Sequence, residues 1–321
     1  MRDTDNSRTT AEAMTAGVTG LELSGRSLLV ASDSAVLSQI AARIAAALER
    51  ERGAIPEVLH VFDLTGYPVP PLLVEALGVA DRELGDSAHE EQQREIMEHL
   101  SAAVPEAVRW PVHVIAGTPS VQIVSYAQQM RAALIVMGLR PHGAMERIAR
   151  DETTLGVLRH SATPVLAVRE EVTALPRRMV SGIDFSRASV AAARAALDIA
   201  AAAGAHLTLT HIDRSSEPDA DADADGQTVV HDMGVTGALA HIQQYLTRNA
   251  PDSQGVTIDT AVLSGQPSEA LLGYAKAEGA ELIAIASHRH SQIHRIMLGS
   301  VADDLARDAG CSLLIVPPAT G

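Results

Sequence analysis

Residues near the C-terminus have the types and spacing of an anion-binding site. Leu298-Gly299-Ser300-Val301 opens a segment with helical apolar spacing. A helix start presents backbone N–H groups and partial positive charge, both of which favour an anion. Gly299 lets the backbone approach a ligand closely, and the Ser300 hydroxyl is predicted to cap the helix and to donate to a phosphate. The upstream loop "SHRHSQIHR" contains Arg289, whose guanidinium can bind a phosphate through two N–H groups. The imidazoles of His288 and His290 flank it in sequence.

Other interpretations of this loop remain open. Three histidines in a loop are typical of polar surface. A metal site would need a tight ligand set with a supporting shell, which H-x-H-x-x-x-H does not supply. We therefore predict no metal site.

The same arrangement of residues occurs earlier in the chain, but with two acidic residues in place of the glycine and the serine. In "ERIARDETTLGVLRHSATPVLAV", residues 146–168, Asp151-Glu152 stand where Gly299-Ser300 stand later. The two carboxylates can occupy the helix start themselves, each stabilising it by about 0.3–1 kcal/mol, and they would repel a triphosphate. We predict that this earlier site binds no nucleotide.

The chain repeats itself. Residues 33–61 match residues 184–212 without gaps, and residues 117–168 match residues 265–316. The matched positions include Asp33 with Asp184, Val61 with Ile212 and Gly138 with Ala286. The repeat predicts a first domain over residues 26–172 and a second over residues 173–321, after a disordered tail at residues 1–25.

Each copy alternates short apolar strands with amphipathic helices. This pattern predicts an α/β fold in which each domain has a five-stranded, mostly parallel sheet flanked by helices. Ligands of such sheets bind outside the carboxyl ends of the strands. Asp33, Gly138, Asp184 and Ala286 lie at those ends, and the alternative role for the two aspartates is to cap the helix that follows. The acidic run at residues 215–226 is predicted to be a solvated loop.

Composition narrows the function classes. The 321 residues are 46% hydrophobic but only 2% aromatic, so the core must be aliphatic. A net charge of −15 argues against nucleic acid and anionic membranes as partners. Cys311 is the single cysteine, no apolar run is long enough to span a membrane, and the N-terminus lacks a signal-peptide core. We expect a cytoplasmic protein.

Taken in order, these motifs resemble a tandem universal stress protein over nearly all of residues 26–318. In that family an aspartate ends the first strand, a glycine ends the fourth, and a G-x-x-G loop leads after nine residues to G-[S/T]. The resemblance implies two adenine-nucleotide alpha-hydrolase-like (Rossmann-like) domains and, in several members, bound ATP or AMP, with the aspartate beside the adenine and ribose. Here Pro141 replaces the second glycine of the first copy, and Ala286 and Arg289 replace both early glycines of the second.

The resemblance carries site residues onto both copies. In domain 2 they are Asp184, Ile212, Ala286, His288, Arg289, His290, Gly299, Ser300 and Val301. In the degenerate domain 1 they are Asp33, Val61, Gly138, Arg140, Asp151 and Glu152. The implied ligand is ATP or AMP in domain 2, or another anion.

Three functional hypotheses follow. The first is a stress-response protein that binds a nucleotide or anion in domain 2 and none in domain 1. The second is a protein-interaction module in which both sites are relics. The third, a weak ATPase, has the least support because no general acid and base pair stands out, so no catalytic residue is predicted. In the resembling family, domains pair through their last strands, which implies an antiparallel pseudo-dimer through residues 164–168 and 312–316. A further homodimer is compatible with the sequence.

Overall fold

The computed structural model of the chain describes residues 14–32, 36–63, 86–139, 152–213, 224–253, 255–287 and 299–318. Within these ranges ten strands alternate with eight α-helices. The strands are β1 Ser27–Ser32, β2 Ile55–Asp63, β3 Val112–Gly117, β4 Leu134–Leu139, β5 Val165–Arg169, β6 Arg178–Gly182, β7 His206–Asp213, β8 Thr257–Ser264, β9 Leu282–Ala286 and β10 Ser312–Val316. The helices are α1 Val36–Arg52, α2 Asp86–Ser101, α3 Pro119–Gln129, α4 Glu152–His160, α5 Arg187–Ala203, α6 Ala224–Asn249, α7 Pro267–Ala277 and α8 Ser300–Asp308.

The chain divides into two compact units. The N-terminal unit comprises Leu23–Thr163 and Ala167–Ala174, and the C-terminal unit comprises Met1–Glu22, Pro164–Leu166 and Leu175–Gly321. Strand order is β3-β2-β1-β4-β5 in the first copy and β10-β9-β6-β7-β8 in the second. The pairs β1–β2, β1–β4 and β2–β3 are parallel, and so are β6–β7, β6–β9, β7–β8 and β9–β10. The α/β fold predicted from the alternating pattern is confirmed.

The core is aliphatic, as composition predicts. The central strands are buried without alternation, as in Leu28, Leu29 and Val30 of β1, because helices cover both faces. Alanines make up half of the residues that helices α1 and α5 bury, and small side chains let helix backbones approach a sheet closely. Phe185 heads the fully buried side chains by volume in the described part of the chain.

Gly138 in β4 is required by a close approach of a helix. A Cβ atom built on Gly138 would lie 2.5 Å from Cβ of Leu37 in α1. Gly138 is not among the glycines with positive φ, so the need is for space and not for an unusual backbone conformation. This packing role accounts for the glycine without any ligand.

The N-terminal segment differs from the prediction of a disordered tail. Residues 1–13 lie outside the described residues, but Met14, Thr15 and Leu21 are buried, and Met1–Glu22 belongs to the C-terminal unit. Sequence analysis did not predict this packing of residues 14–22, because the segment has no periodic pattern of its own. Its partners lie more than 170 residues away in the chain.

The acidic run that is predicted to be a solvated loop lies mostly outside the described residues. Residues 215–223 of this run are not described, and its last residues begin α6. Helix α6 is interrupted at Gly234, where φ is 70° and ψ is 164°. In the ranges that are described, no helix is long and apolar enough to cross a membrane.

Replacing Gly138 with alanine tests the packing role. We expect the free energy of unfolding to fall by about 1–3 kcal/mol, because the methyl group overpacks the contact with Leu37. The matched control is Gly273→Ala in α7, where a Cβ has nothing within 4 Å and helix propensity should raise stability by about 0.5–1 kcal/mol. Urea unfolding measures both variants, and equal stability for the two would contradict the packing role.

Candidate functional site

Each copy has one point where the strand order reverses. From β6 the chain runs outward through β7 and β8, and then returns to place β9 on the other side of β6. The first copy does the same with β4 beside β1. Loops leaving the carboxyl ends of such neighbouring strands diverge and leave a crevice, which is where open α/β sheets bind ligands. Asp184 follows β6, and Ala286 ends β9, so both flank this crevice in the second copy.

Asp184 stabilises the turn between β6 and α5. Its Oδ1 accepts a hydrogen bond from the Ser186 N–H at 2.9 Å, and its own N–H donates to Ser189 Oγ at 3.3 Å. Ser186 is the N-cap residue of α5, and its Oγ accepts from the Ser189 N–H at 3.1 Å. The capping role that sequence analysis left open is therefore present, shared between Asp184 and Ser186.

Phe185 and His211 support this turn, and sequence reasoning missed both. Phe185 has a φ of 63°, a conformation that a bulky side chain rarely adopts. Its ring is fully buried and lies 4.5 Å from the ring of His211, centroid to centroid. His211 Nδ1 lies 2.8 Å from the Ile183 carbonyl oxygen.

The first copy repeats the histidine contact. His60 Nδ1 lies 2.9 Å from the Ser32 carbonyl oxygen at the end of β1. The match of His60 with His211 in the repeat was the signal that could have found this pair. Val61 and Ile212, the residues that follow these histidines, are half-buried at the carboxyl ends of β2 and β7.

Helix α8 begins at Ser300, and its N-cap is Gly299 and not Ser300. Gly299 is the N-cap residue, with φ −59° and ψ 156°, and no side-chain cap hydrogen bond is made there within the described residues. Ser300 is the first helical residue and is exposed, so the prediction that its hydroxyl caps the helix is wrong. Val301 is half-buried beside it.

Charge in the first turn of α8 is already balanced. Asp303 donates its N–H to the Gly299 carbonyl at 2.9 Å and pairs with Arg307 at 2.5 Å, Oδ2 to Nη2. The first N–H groups of the helix therefore lie next to Gly299, and the charge of the nearby Asp303 carboxylate is paired with Arg307.

The first copy differs at the matching position. Helix α4 begins at Glu152, and Thr154 Oγ1 donates to the Gly138 carbonyl at 3.1 Å, tying the helix start to the end of β4. Asp33, Arg140 and Asp151 lie outside the described residues, as do His288, Arg289 and His290 in the second copy. Across the ranges that are described, no three His, Cys, Asp or Glu side chains converge as a metal site would require.

Comparison with known sequences assigns the family. The sequence model of the universal stress protein family matches residues 25–169 and again residues 176–317. The chain belongs to the universal stress protein family. It is 26% identical over 303 residues to a universal stress protein of Mycolicibacterium smegmatis, covering 91% of this chain and 97% of that relative.

Solved structures agree on the fold. The crystal structure of a universal stress protein from Archaeoglobus fulgidus superposes with a TM-score of 0.62 at 19% identity, covering 91% of this chain and 98% of that one. A second universal stress protein, 24% identical over 44% of this chain with a TM-score of 0.34, was crystallised in complex with cAMP. The two family matches show a tandem universal stress protein.

The two roles of Asp184 in this universal stress domain can be separated by substitution. Asp184→Ala removes the acceptor for the Ser186 N–H, and we expect a loss of about 0.5–2 kcal/mol of stability, as for a lost helix cap. Asp184→Asn keeps an acceptor oxygen and should retain most of that stability. Urea unfolding distinguishes them, and an unchanged midpoint for the alanine variant would show that the turn does not depend on this bond.

Proposed function

We propose that this universal stress protein acts in the stress response by binding an adenine nucleotide, ATP or AMP, or another anion, in its second domain. The proposed anion-binding position is the start of α8, at Gly299, Ser300 and Val301. The proposal rests on the N-cap position of α8. Gly299 stands there without a side chain, and no side-chain cap hydrogen bond is made at this helix start within the described residues. A helix start in that condition offers N–H donors and partial positive charge to an anion.

The surrounding residues are consistent with a phosphate ligand. The crevice beside β6 and β9 is the expected ligand position of the sheet, with the Asp184 turn on one side of it. Ser300 is exposed and keeps a hydroxyl at the first turn. We propose that His288, Arg289 and His290 add cationic and hydrogen-bonding groups where the family uses glycines, since an arginine can grip phosphate through two N–H groups.

We propose that the first domain binds no nucleotide. Asp151 and Glu152 take the place of Gly299 and Ser300 in the sequence, and α4 begins at Glu152. Carboxylates at a helix start satisfy the same dipole that a phosphate would, and their charge repels a second anion. The Thr154 bond to the Gly138 carbonyl is consistent with a helix start that is held by its own chain.

Titration calorimetry with ATP and AMP tests the proposal. We expect one binding site per chain in the wild type, and at least about a 10-fold loss of affinity in Gly299→Asp, because a carboxylate at the N-cap fills the anion-binding position and repels phosphate. Gly299→Ala is the control for size, since φ −59° suits any residue, and it should retain most of the affinity. A folded wild-type chain that gives no heat at millimolar ATP and AMP would exclude nucleotide binding.

We also propose that β5 and β10 pair within the chain. Pro164–Leu166 group with the C-terminal unit, which contains β10, while the rest of the first copy does not. Both strands are short, apolar and buried, and an unpaired edge of that type promotes aggregation.

Amide hydrogen exchange tests this pairing. Successive N–H groups of a strand point to opposite sides, so a strand at an edge protects only alternate amides. We expect slow exchange at all five amides of Ser312–Val316, because β9 covers one side and β5 the other. Fast exchange at alternate residues of β10 would show an open edge.

A further inference from the structure

The N-terminal strap, Met14–Glu22, is held by the second copy of the repeat although it precedes the first copy in sequence. Met14 is fully buried and Leu21 is 5% exposed. Between these two apolar anchors Thr15 is buried, while Ala16 and Thr19 are exposed. Met14 and Thr15 are helical, a turn follows at Ala16 and Gly17, and residues 18–22 have no regular secondary structure.

Three polar side chains of the C-terminal unit bind the main chain of the strap. The Arg187 guanidinium donates to the Ala16 carbonyl at 2.5 Å, and the Tyr245 hydroxyl donates to the Val18 carbonyl at 3.2 Å. The Leu21 N–H donates to Asp198 Oδ2 at 2.7 Å. Because these bonds go to backbone atoms, they recognise the strap by its backbone conformation and only weakly by its side chains.

Asp198 is an unusual residue at its position in α5. It is 4% exposed in the middle of an alanine-rich helix, where an unpaired carboxylate would be costly. Arg194, one turn earlier, binds Oδ1 at 2.5 Å, and the strap binds Oδ2. The buried charge is therefore neutralised by Arg194 and receives a further hydrogen bond from the strap.

The first copy lacks the matching aspartate and the matching strap-binding arginine. Ala47 stands at the position that matches Asp198, and Val36 at the position that matches Arg187. The strap contacts are thus not required by the universal stress fold, since one copy forms the same helix without them. They are specific to the surface of α5 and α6 in the second copy.

Gly20 makes the recognition selective. A Cβ atom on Gly20 would lie 1.9 Å from Asp198 Oδ2. Asp198 is buried and bonded on both oxygens, so it has little room to move away. The groove therefore accepts glycine at this point of the peptide and excludes any side chain.

We propose that the surface formed by α5 and α6 is a peptide-docking site whose resident ligand is the strap, and that the strap of a second copy of this chain can occupy it in exchange. The second copy fits because it carries the identical sequence, including Gly20 and both apolar anchors. Exchange of an identical element costs little, since every bond lost in one chain is made again in the other.

The test uses a labelled peptide with the sequence of Met14–Ser24 and the full-length chain. In the Gly20→Ala chain the resident strap cannot seat, while the groove keeps all its own residues. We expect the peptide to bind this chain at least about 10-fold more tightly than it binds the wild type, whose groove is occupied most of the time. Fluorescence anisotropy gives both dissociation constants.

Matched variants control the experiment. Thr19→Ala changes an exposed neighbour of Gly20 in the same strap and should leave the chain like the wild type. A Gly20→Ala chain that also carries Asp198→Asn should lose peptide binding, and a peptide with Gly20→Ala should not bind at all. If the Gly20→Ala chain does not fold, Leu21→Pro serves instead, because it removes both the N–H that donates to Asp198 and the Leu21 anchor while leaving every residue of the groove unchanged.

Hydrogen exchange of the same chains gives the deciding comparison. We expect the strap amides to be protected in the wild type and Thr19→Ala chains and unprotected in Gly20→Ala. A folded Gly20→Ala or Leu21→Pro chain that does not bind the peptide would overturn the proposal, and the strap would then be a fixed part of the fold. Equal peptide affinity for wild type and Gly20→Ala would overturn it as well.

Discussion

Parallel pairing of strands that are covered on both faces is the constraint on which the rest of this structure depends. Such strands are mainly apolar, and only a few polar side chains, such as those of Ser181, Thr208 and Thr210, are buried in them. Functional groups are confined to the ends of the strands and to the loops beyond them. The reversal of strand order beside β6 and β1 then selects which of those ends border a crevice.

The two copies use the same frame differently. Both keep a histidine near the end of the second strand that contacts the carbonyl where the first strand ends, through His60 and His211. At the last helix their sequences diverge, because Gly299 and Ser300 stand at the start of α8 while Asp151 and Glu152 stand at the matching positions of the first copy. The fold tolerates this difference, since the partial positive charge of a helix start can be stabilised by a bound anion or by an acidic side chain.

The strap is a second difference between the two copies, and it concerns the helices that cover the sheet. A charged residue in the buried face of a helix is tolerated only where it is fully partnered, and Asp198 is partnered by Arg194 and by the strap backbone. The matching Ala47 in the first copy shows that the fold itself does not demand a charge there. Burying a charge costs free energy, so a buried aspartate at this position indicates a specific interaction and not a contribution to general stability.

The sequence by itself determined the order of strands and helices, the twofold repeat and the aliphatic core, because these depend on local periodicity and on residue type. It also singled out Gly299 and the carboxyl ends of β6 and β9. Tertiary structure alone decided why Gly138 is glycine, since Leu37 lies a hundred residues earlier, and that Phe185 takes a left-handed conformation against His211. It also decided that Leu21 binds Asp198 across 177 residues of sequence. No local pattern encodes such contacts, because they arise only when the packed elements bring distant residues within bonding distance.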